Sequence, residues 1–151
     1  MIIWAHPGTG KTFYYQLHPE LVIDFDSVYK NRLSRELNIP ENYQARKEWR
    51  KLHREEYNNK IIDLFKEAII ESTNKHLLVS DLIILEQCED DLDIITTMSE
   101  KTFAERSEQR NEPYDMNHKL WKQSIDECIN NVHNKQKVVI VESYLTEYVR
   151  S

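Results

Sequence analysis

Glycine is nearly absent: the 151 residues include two, beside four prolines. A fold built from many tight β-turns needs more of both, so the shortage points to helices with a modest sheet. Cysteine is equally scarce. Cys88 and Cys128 lie far apart and match no CxxC or CxxxxH spacing, which argues against structural zinc and reads as two reduced thiols in a cytosolic protein. The six histidines show no HxxxH or HxH pairing, so no metal site is expected beyond nucleotide-bound magnesium. No apolar run approaches the roughly 18 residues of a membrane span. The opening Met-Ile-Ile-Trp-Ala-His-Pro-Gly has no basic segment ahead of an apolar one and is not expected to be a secretory leader. Basic excess is also missing. With 20 Lys and Arg against 26 Asp and Glu, the net charge of −6 argues against a nucleic-acid coat or a membrane-surface protein, though not against a local basic groove.

What is present suffices for a core: 40% of the residues are hydrophobic, including three Trp, eight Tyr and four Phe. The length fits one domain, 1–151. Short apolar runs at 2–5, 21–25, 76–80, 93–97 and 137–142 read as buried strands. Between them, helices are expected at 12–17, 27–37, 41–74 (one long or two joined), 100–111 and 114–134, with a last turn at 144–149. Strands that are apolar on both faces and alternate with helices indicate a parallel sheet covered on both sides, an α/β three-layer sandwich. The stretch at about 27–75 reads as a helical insert over one edge, and 100–111 as a short lid helix.

Both glycines fall in one place. Ala5-His-Pro-Gly-Thr-Gly-Lys-Thr12 fits a Walker A loop with Ala in the first glycine position. A tight turn after a buried strand points backbone N–H groups at one anion, and the following helix presents its positive end. His6, Pro7, Gly8, Thr9, Gly10, Lys11, Thr12 and Phe13 are therefore expected to hold the phosphates of ATP or GTP. Lys11 would sit against the β- and γ-phosphates and Thr12 would offer its hydroxyl to Mg²⁺; His6 is expected to contribute its backbone only. The plain alternative is a glycine turn with an incidental lysine.

Phosphoryl transfer needs more than a bound nucleotide. Asp24 and Asp26 stand at the end of the second strand, where period two puts both carboxylates on one face. One of them, Asp26, suits proton acceptance from a hydroxyl; both suit contact with the substrate. The alternative is that Asp26 or Ser27 caps the next helix. Leu77-Leu78-Val79-Ser80-Asp81 has the form of a Walker B strand, with Asp81 ordering the shell of Mg²⁺ through water. Arg106 and Arg110 share one helix face at i, i+4 and suit charge spread over phosphate oxygens, unless they merely pair with Glu105, Glu108 or Glu112. Residues 28–54 contain eight Lys or Arg against three Glu. There, Arg46, Arg50 and Arg54 are spaced along one face, and Arg46 and Arg50 are candidate ligands for the acceptor. Tyr43, Trp49 and Tyr57 interleave with them as possible base-stacking rings or as core.

The loop at 6–12, Asp-Phe-Asp-Ser at 24–27, Pro-Glu-Asn-Tyr at 40–43, the strand closing in Ser80-Asp81 and the Arg106/Arg110 pair occur in that order. Together they resemble the small P-loop kinases often encoded by bacteriophages, in the nucleoside monophosphate kinase and polynucleotide kinase group. The resemblance implies a five-stranded parallel sheet of order 2-3-1-4-5, with Arg106 and Arg110 as lid arginines. It implies a cytoplasmic transferase, monomer or homodimer, using ATP or GTP with Mg²⁺ to phosphorylate a nucleotide or nucleoside. A hydroxyl acceptor needs a base and a phosphate acceptor does not, so the acid pair keeps open a kinase acting on a 5′-hydroxyl of nucleic acid or on a hydroxymethylated base in DNA. The non-enzymatic alternative is a nucleotide-binding switch or a phage–host interaction protein.

Overall fold

The computed structural model describes residues 1–9, 14 and 17–141. Five parallel strands form one sheet in the order β2-β3-β1-β4-β5; the sequence pattern predicted the parallel sheet, and the kinase resemblance implied its order. They are β1 (Ile2–Trp4), β2 (Val22–Asp24), β3 (His76–Val79), β4 (Ile94–Thr97) and β5 (Val138–Ile140). Among the described residues six α-helices follow or separate them: α1 (Phe25–Glu36), α2 (Tyr43–Leu52), α3 (Arg54–Glu71), α4 (Leu82–Gln87), α5 (Glu100–Gln109) and α6 (Met116–Asn130). The expected helix at 144–149, and most of that at 12–17, lie outside the described residues.

Alternation within the strands explains why both faces of the sheet are buried. Trp4, Leu77, Val79 and Ile95 pack with Phe25, Phe65, Ile84 and Ile125 of four helices, while Ile3, Val22 and Leu78 pack with Tyr14 on the other face. A strand sandwiched in this way has no room for the polar half of an amphipathic pattern. Tyr57, Ile61, Leu64, Phe65 and Ala68 form the buried stripe of α3, the spacing expected for an amphipathic helix.

Two differences from the sequence expectation, one alternative now decided and one feature of the helix ends matter. The second strand ends at Asp24, and α1 starts at Phe25. The reason is capping: the Asp24 carboxylate accepts from the Asp26 N–H at 3.3 Å and from Ser27 Oγ at 3.0 Å, which fixes the helix start two residues early. The stretch 41–74 is two helices, and α3 begins at Arg54 after His53 leaves helical geometry (φ −122°, ψ 36°). Helix α4 was not anticipated, its six residues being too short to show a periodic face. Finally, with both glycines used elsewhere, α1 and α5 are closed by the left-handed asparagines Asn38 (φ 54°) and Asn111 (φ 59°).

Ties across the helical layer hold α1 at its height over the sheet. Arg32 makes a forked pair with Glu67 of α3 at 2.8 and 3.0 Å, and Tyr29 donates to Glu71. In-register pairing of Asp24 with Leu78, and of Trp4 with Val79 and Ile95, brings the carboxyl ends of β1 to β4 to one edge. That edge is where parallel sheets receive ligands. Among the described residues no helix is long and apolar enough to cross a membrane.

Candidate functional site

The turn after β1 is built by side chains of its neighbours. Ala5 N–H donates to Val79 O at 2.7 Å, and Ser80 Oγ donates to Ala5 O at 3.0 Å. Thr96 Oγ1 accepts from His6 N–H at 2.7 Å and donates to Trp4 O at 3.1 Å. Both backbone N–H and Oγ1 of Thr9 donate to His6 O, at 3.2 and 2.8 Å, and close the turn. The amides of His6 and Thr9 are thus engaged within the fold, and Pro7 has none. Gly8 sits at φ +89°, where a side chain would be strained. Gly10, Lys11, Thr12 and Phe13, the rest of the expected phosphate loop, lie outside the described residues.

The His6 side chain has a role the sequence did not suggest. Its ring is fully buried, edge-on to Trp4 and to Phe103 of α5, with ring centroids 6.3 and 5.3 Å away. Nδ1 stands 2.8 Å from Pro7 O, so it carries the proton and donates. Burial is the main force on its pKa and lowers it to about 4, helped by the Lys122 charge and opposed by the Pro7 hydrogen bond and Asp126. The imidazole is neutral at pH 7 and serves as packing.

Phe103 and Arg106 are three residues apart on α5, so they point to one side of the helix. Packing of Phe103 on His6 therefore delivers Arg106 to the turn. Arg106 Nη1 donates to Gly8 O at 3.3 Å. Were Gly8 to carry a Cβ, it would stand 3.4 Å from Arg106 Cβ and 3.9 Å from Arg110 Nη2. The two expected lid arginines do converge on the glycine turn. Arg110 is the C-cap residue rather than a helical one, and it also pairs with Glu112 at 3.6 Å. The surface pairing weighed against function is thus present beside it.

On the other side of the edge the acids are arranged differently from the expectation. Asp24 is buried and spent on capping α1, whereas Asp26 lies in the first turn of that helix. The two do not share one face of an extended segment. Asp26 instead faces Asp81 across a residue that the sequence reading passed over. Lys30 Nζ lies 3.6 Å from Asp26 Oδ1 and 3.3 Å from Asp81 Oδ1. Burial works to lower the Lys30 pKa, but the charges of Asp81 and Asp26 outweigh it and the net shift is upward. The i, i+4 spacing of Asp26 and Lys30 was a legible signal for half of this bridge. Asp81 is held in place by the fold, since its carbonyl accepts from Trp4 Nε1 at 3.0 Å.

Lys30 also lines a cavity of about 290 Å³ between α1, α2 and α3, together with Arg46, Lys47 and Arg50. The two predicted acceptor arginines are thus brought together, and no carboxylate lines the cavity with them. Arg50 stacks over the buried Tyr57 ring at 4.6 Å, and Lys47 over the exposed Tyr43 ring at 5.0 Å. Trp49 stacks instead on His53, with centroids 4.4 Å apart. Arg54, expected on the same face as Arg46 and Arg50, belongs to the next helix.

No family model, curated protein or solved structure matches this chain. Among the described residues no group of three or more His, Cys, Asp or Glu side chains is placed to hold a metal ion. A magnesium seat of the expected kind asks less of the protein: one carboxylate and one hydroxyl, with phosphate oxygens and water completing it. Asp81, a hard oxygen donor at the carboxyl edge of β3, fits that requirement; Thr12, its expected companion, is outside the described residues.

Proposed function

We propose that this chain is a P-loop kinase that transfers the γ-phosphoryl group of ATP or GTP to a nucleotide or nucleoside. The observation that carries the reading is the approach of Arg106 to Gly8: a guanidinium from a helix 98 residues away reaches the one left-handed glycine turn in the described chain. A turn that only needed closing has Thr9 and Thr96 for that purpose. A cation brought over it suits a ligand with negative charge to neutralise.

In this reading the chain's residues divide the work. Lys11 and the loop amides not already engaged within the turn hold the β- and γ-phosphates, which leaves His6 and Thr9 out of that role. Arg106 and Arg110 lie against the phosphoryl oxygens, where charge gathers as the bond to the β-phosphate breaks and that to the acceptor oxygen forms. Asp81 and Thr12 would hold Mg²⁺, which supplies further charge neutralisation when bound. Lys30, Arg46 and Arg50 grip an anionic acceptor in the cavity beside the acids. If the acceptor is a hydroxyl, Asp26 takes its proton. The cytoplasm, which keeps Cys88 and Cys128 reduced, is the setting that goes with this chemistry.

The test is direct. Labelled ATP is incubated with the protein and separate pools of deoxynucleotides, nucleosides and 5′-hydroxyl oligonucleotides. Label in one pool that is lost in Lys11→Ala, with the variant's circular dichroism unchanged, supports the kinase. Nucleotide binding with no label in any pool favours a switch, and wild-type turnover in Lys11→Ala rules out the proposed phosphate ligand.

A further inference from the structure

Helix α5 ends in a Schellman turn that fixes two charged residues relative to each other. Arg110 is the cap residue. Asn111 takes the left-handed conformation and donates its N–H to Glu108 O at 3.0 Å, while Glu112 N–H donates to Ser107 O at 2.9 Å. Pro113 follows and disfavours helical backbone at Glu112. The chain then folds back over α5, where the Tyr114 ring meets Phe103 edge-on at 5.8 Å and its hydroxyl donates to Glu100 at 3.1 Å. Glu112 is therefore held beside Arg110 from both directions along the chain.

One nitrogen of Arg110 has two neighbours. Nη2 lies 3.6 Å from Glu112 Oε2 and 3.9 Å from where a Cβ at Gly8 would stand. Among the described residues Glu112 is the one carboxylate paired with Arg110; Glu105 and Glu108 are not. At 3.6 Å this is an ion pair without a hydrogen bond, so the guanidinium keeps its N–H groups for another acceptor. On the far side of the carboxylate, the same Oε2 lies 3.8 Å from His118 Nε2, in a ring held by the 2.8 Å bond from Nδ1 to Asp115. The Arg110 and Glu112 side chains are 42% and 51% exposed, which makes their attraction weak enough for a bound anion to break.

We propose that Glu112 is a built-in counter-ion of Arg110, which competes with phosphate for the guanidinium and so restrains the affinity of the Gly8 turn for its ligand. The proposal rests on the phosphate reading of that turn. Glu112 acts through Arg110 and touches no reacting atom, so its place is regulatory rather than catalytic. Removing its charge should make the arginine a stronger ligand for anions. A carboxylate that served only to aim Arg110, or to hold the chain in shape, would cost affinity when removed.

Isothermal titration of the full chain with inorganic tripolyphosphate, and in parallel with ATP, tests it. Glu112→Gln keeps the size and polarity of the side chain. It should bind both ligands about threefold to fivefold more tightly than wild type, the ceiling set by an exposed ion pair. The melting temperature should not change. In an Arg110→Met background the same substitution should gain less than half as much on a logarithmic scale, since its target is gone. Equal or weaker affinity in Glu112→Gln overturns the proposal alone. So does an equal gain in the Arg110→Met background, because the carboxylate would then be repelling the ligand directly. No heat with either ligand in wild type or variant overturns the phosphate reading of the turn, and the proposal with it.

Discussion

Arg106 reaches across the carboxyl edge of the sheet and donates to the carbonyl of Gly8 at 3.3 Å. The contact is assembled by packing, because Phe103 anchors the same helix on the buried His6 ring beneath the turn. Replacing Arg106 with Ala should leave that anchor intact. Turnover should fall by about 100-fold while the dissociation constant for ATP changes little, as for a group whose contacts strengthen in the transition state. Steady-state rates set beside equilibrium titration decide this: equal losses in both would make Arg106 a plain binding residue.

Gly8→Ala tests the same junction from the other side. The new methyl would meet Arg106 Cβ at 3.4 Å, in a backbone at φ +89° that L-residues avoid. The strain should cost about 1–2 kcal/mol of stability. Urea unfolding should show a lower midpoint with an unchanged slope. A midpoint equal to wild type would mean that the turn relaxes freely and that its glycine is dispensable.

Much of this arrangement was legible beforehand, for identifiable reasons. Doubly apolar strands such as Ile2–Trp4 and His76–Val79 dictated a parallel sheet, and the pair Gly8 and Gly10 marked the turn after the first. Arg106 and Arg110 were visible because two arginines stand out in an acidic segment. The acids were harder to read. Asp24 and Asp26 look equivalent in the sequence, yet a capping bond decides which is buried and which reaches Asp81, and capping competes on margins of about 1 kcal/mol. Lys30 carried no signal beyond its spacing from Asp26, because its second partner is 51 positions away and meets it only through the register of β2 on β3. The packing role of His6 was hidden as well, since its partner Phe103 lies 97 positions away, on the helix that follows β4.

Lys30 should couple the two acids it bridges. Lys30→Met removes the cation from between Asp26 and Asp81, and turnover should fall more than tenfold. Adding Asp26→Asn to Lys30→Met should cost less than the product of the separate losses, since both act on one network. A double-mutant cycle on labelled-phosphate transfer checks this. Strict multiplicativity would show that the bridge does not couple the two acids in turnover. Asp26→Asn alone separates the acceptor classes, slowing hydroxyl transfer by orders of magnitude and phosphate transfer far less.

His6 predicts how stability should respond to acid. Its imidazole is neutral in the folded protein, with burial holding the pKa down to about 4 against an ordinary value of 6.5. Between those values the unfolded chain takes up a proton that the folded chain refuses. Stability from this group is therefore fully present above pH 6.5 and drains away as the pH falls toward 4, a loss of about 3 kcal/mol over the window. His76, whose pKa is also lowered by burial, acts in the same direction, so the comparison must be made between variants. In His6→Asn the side-chain amide can still donate to Pro7 O, but nothing titrates. Urea midpoints measured from about pH 7 to about pH 4.5 should fall less steeply in His6→Asn than in wild type, the gap widening as the pH drops. Parallel curves would mean that the ring is protonated inside the fold, and the packing of Phe103 against a neutral imidazole would have to be abandoned.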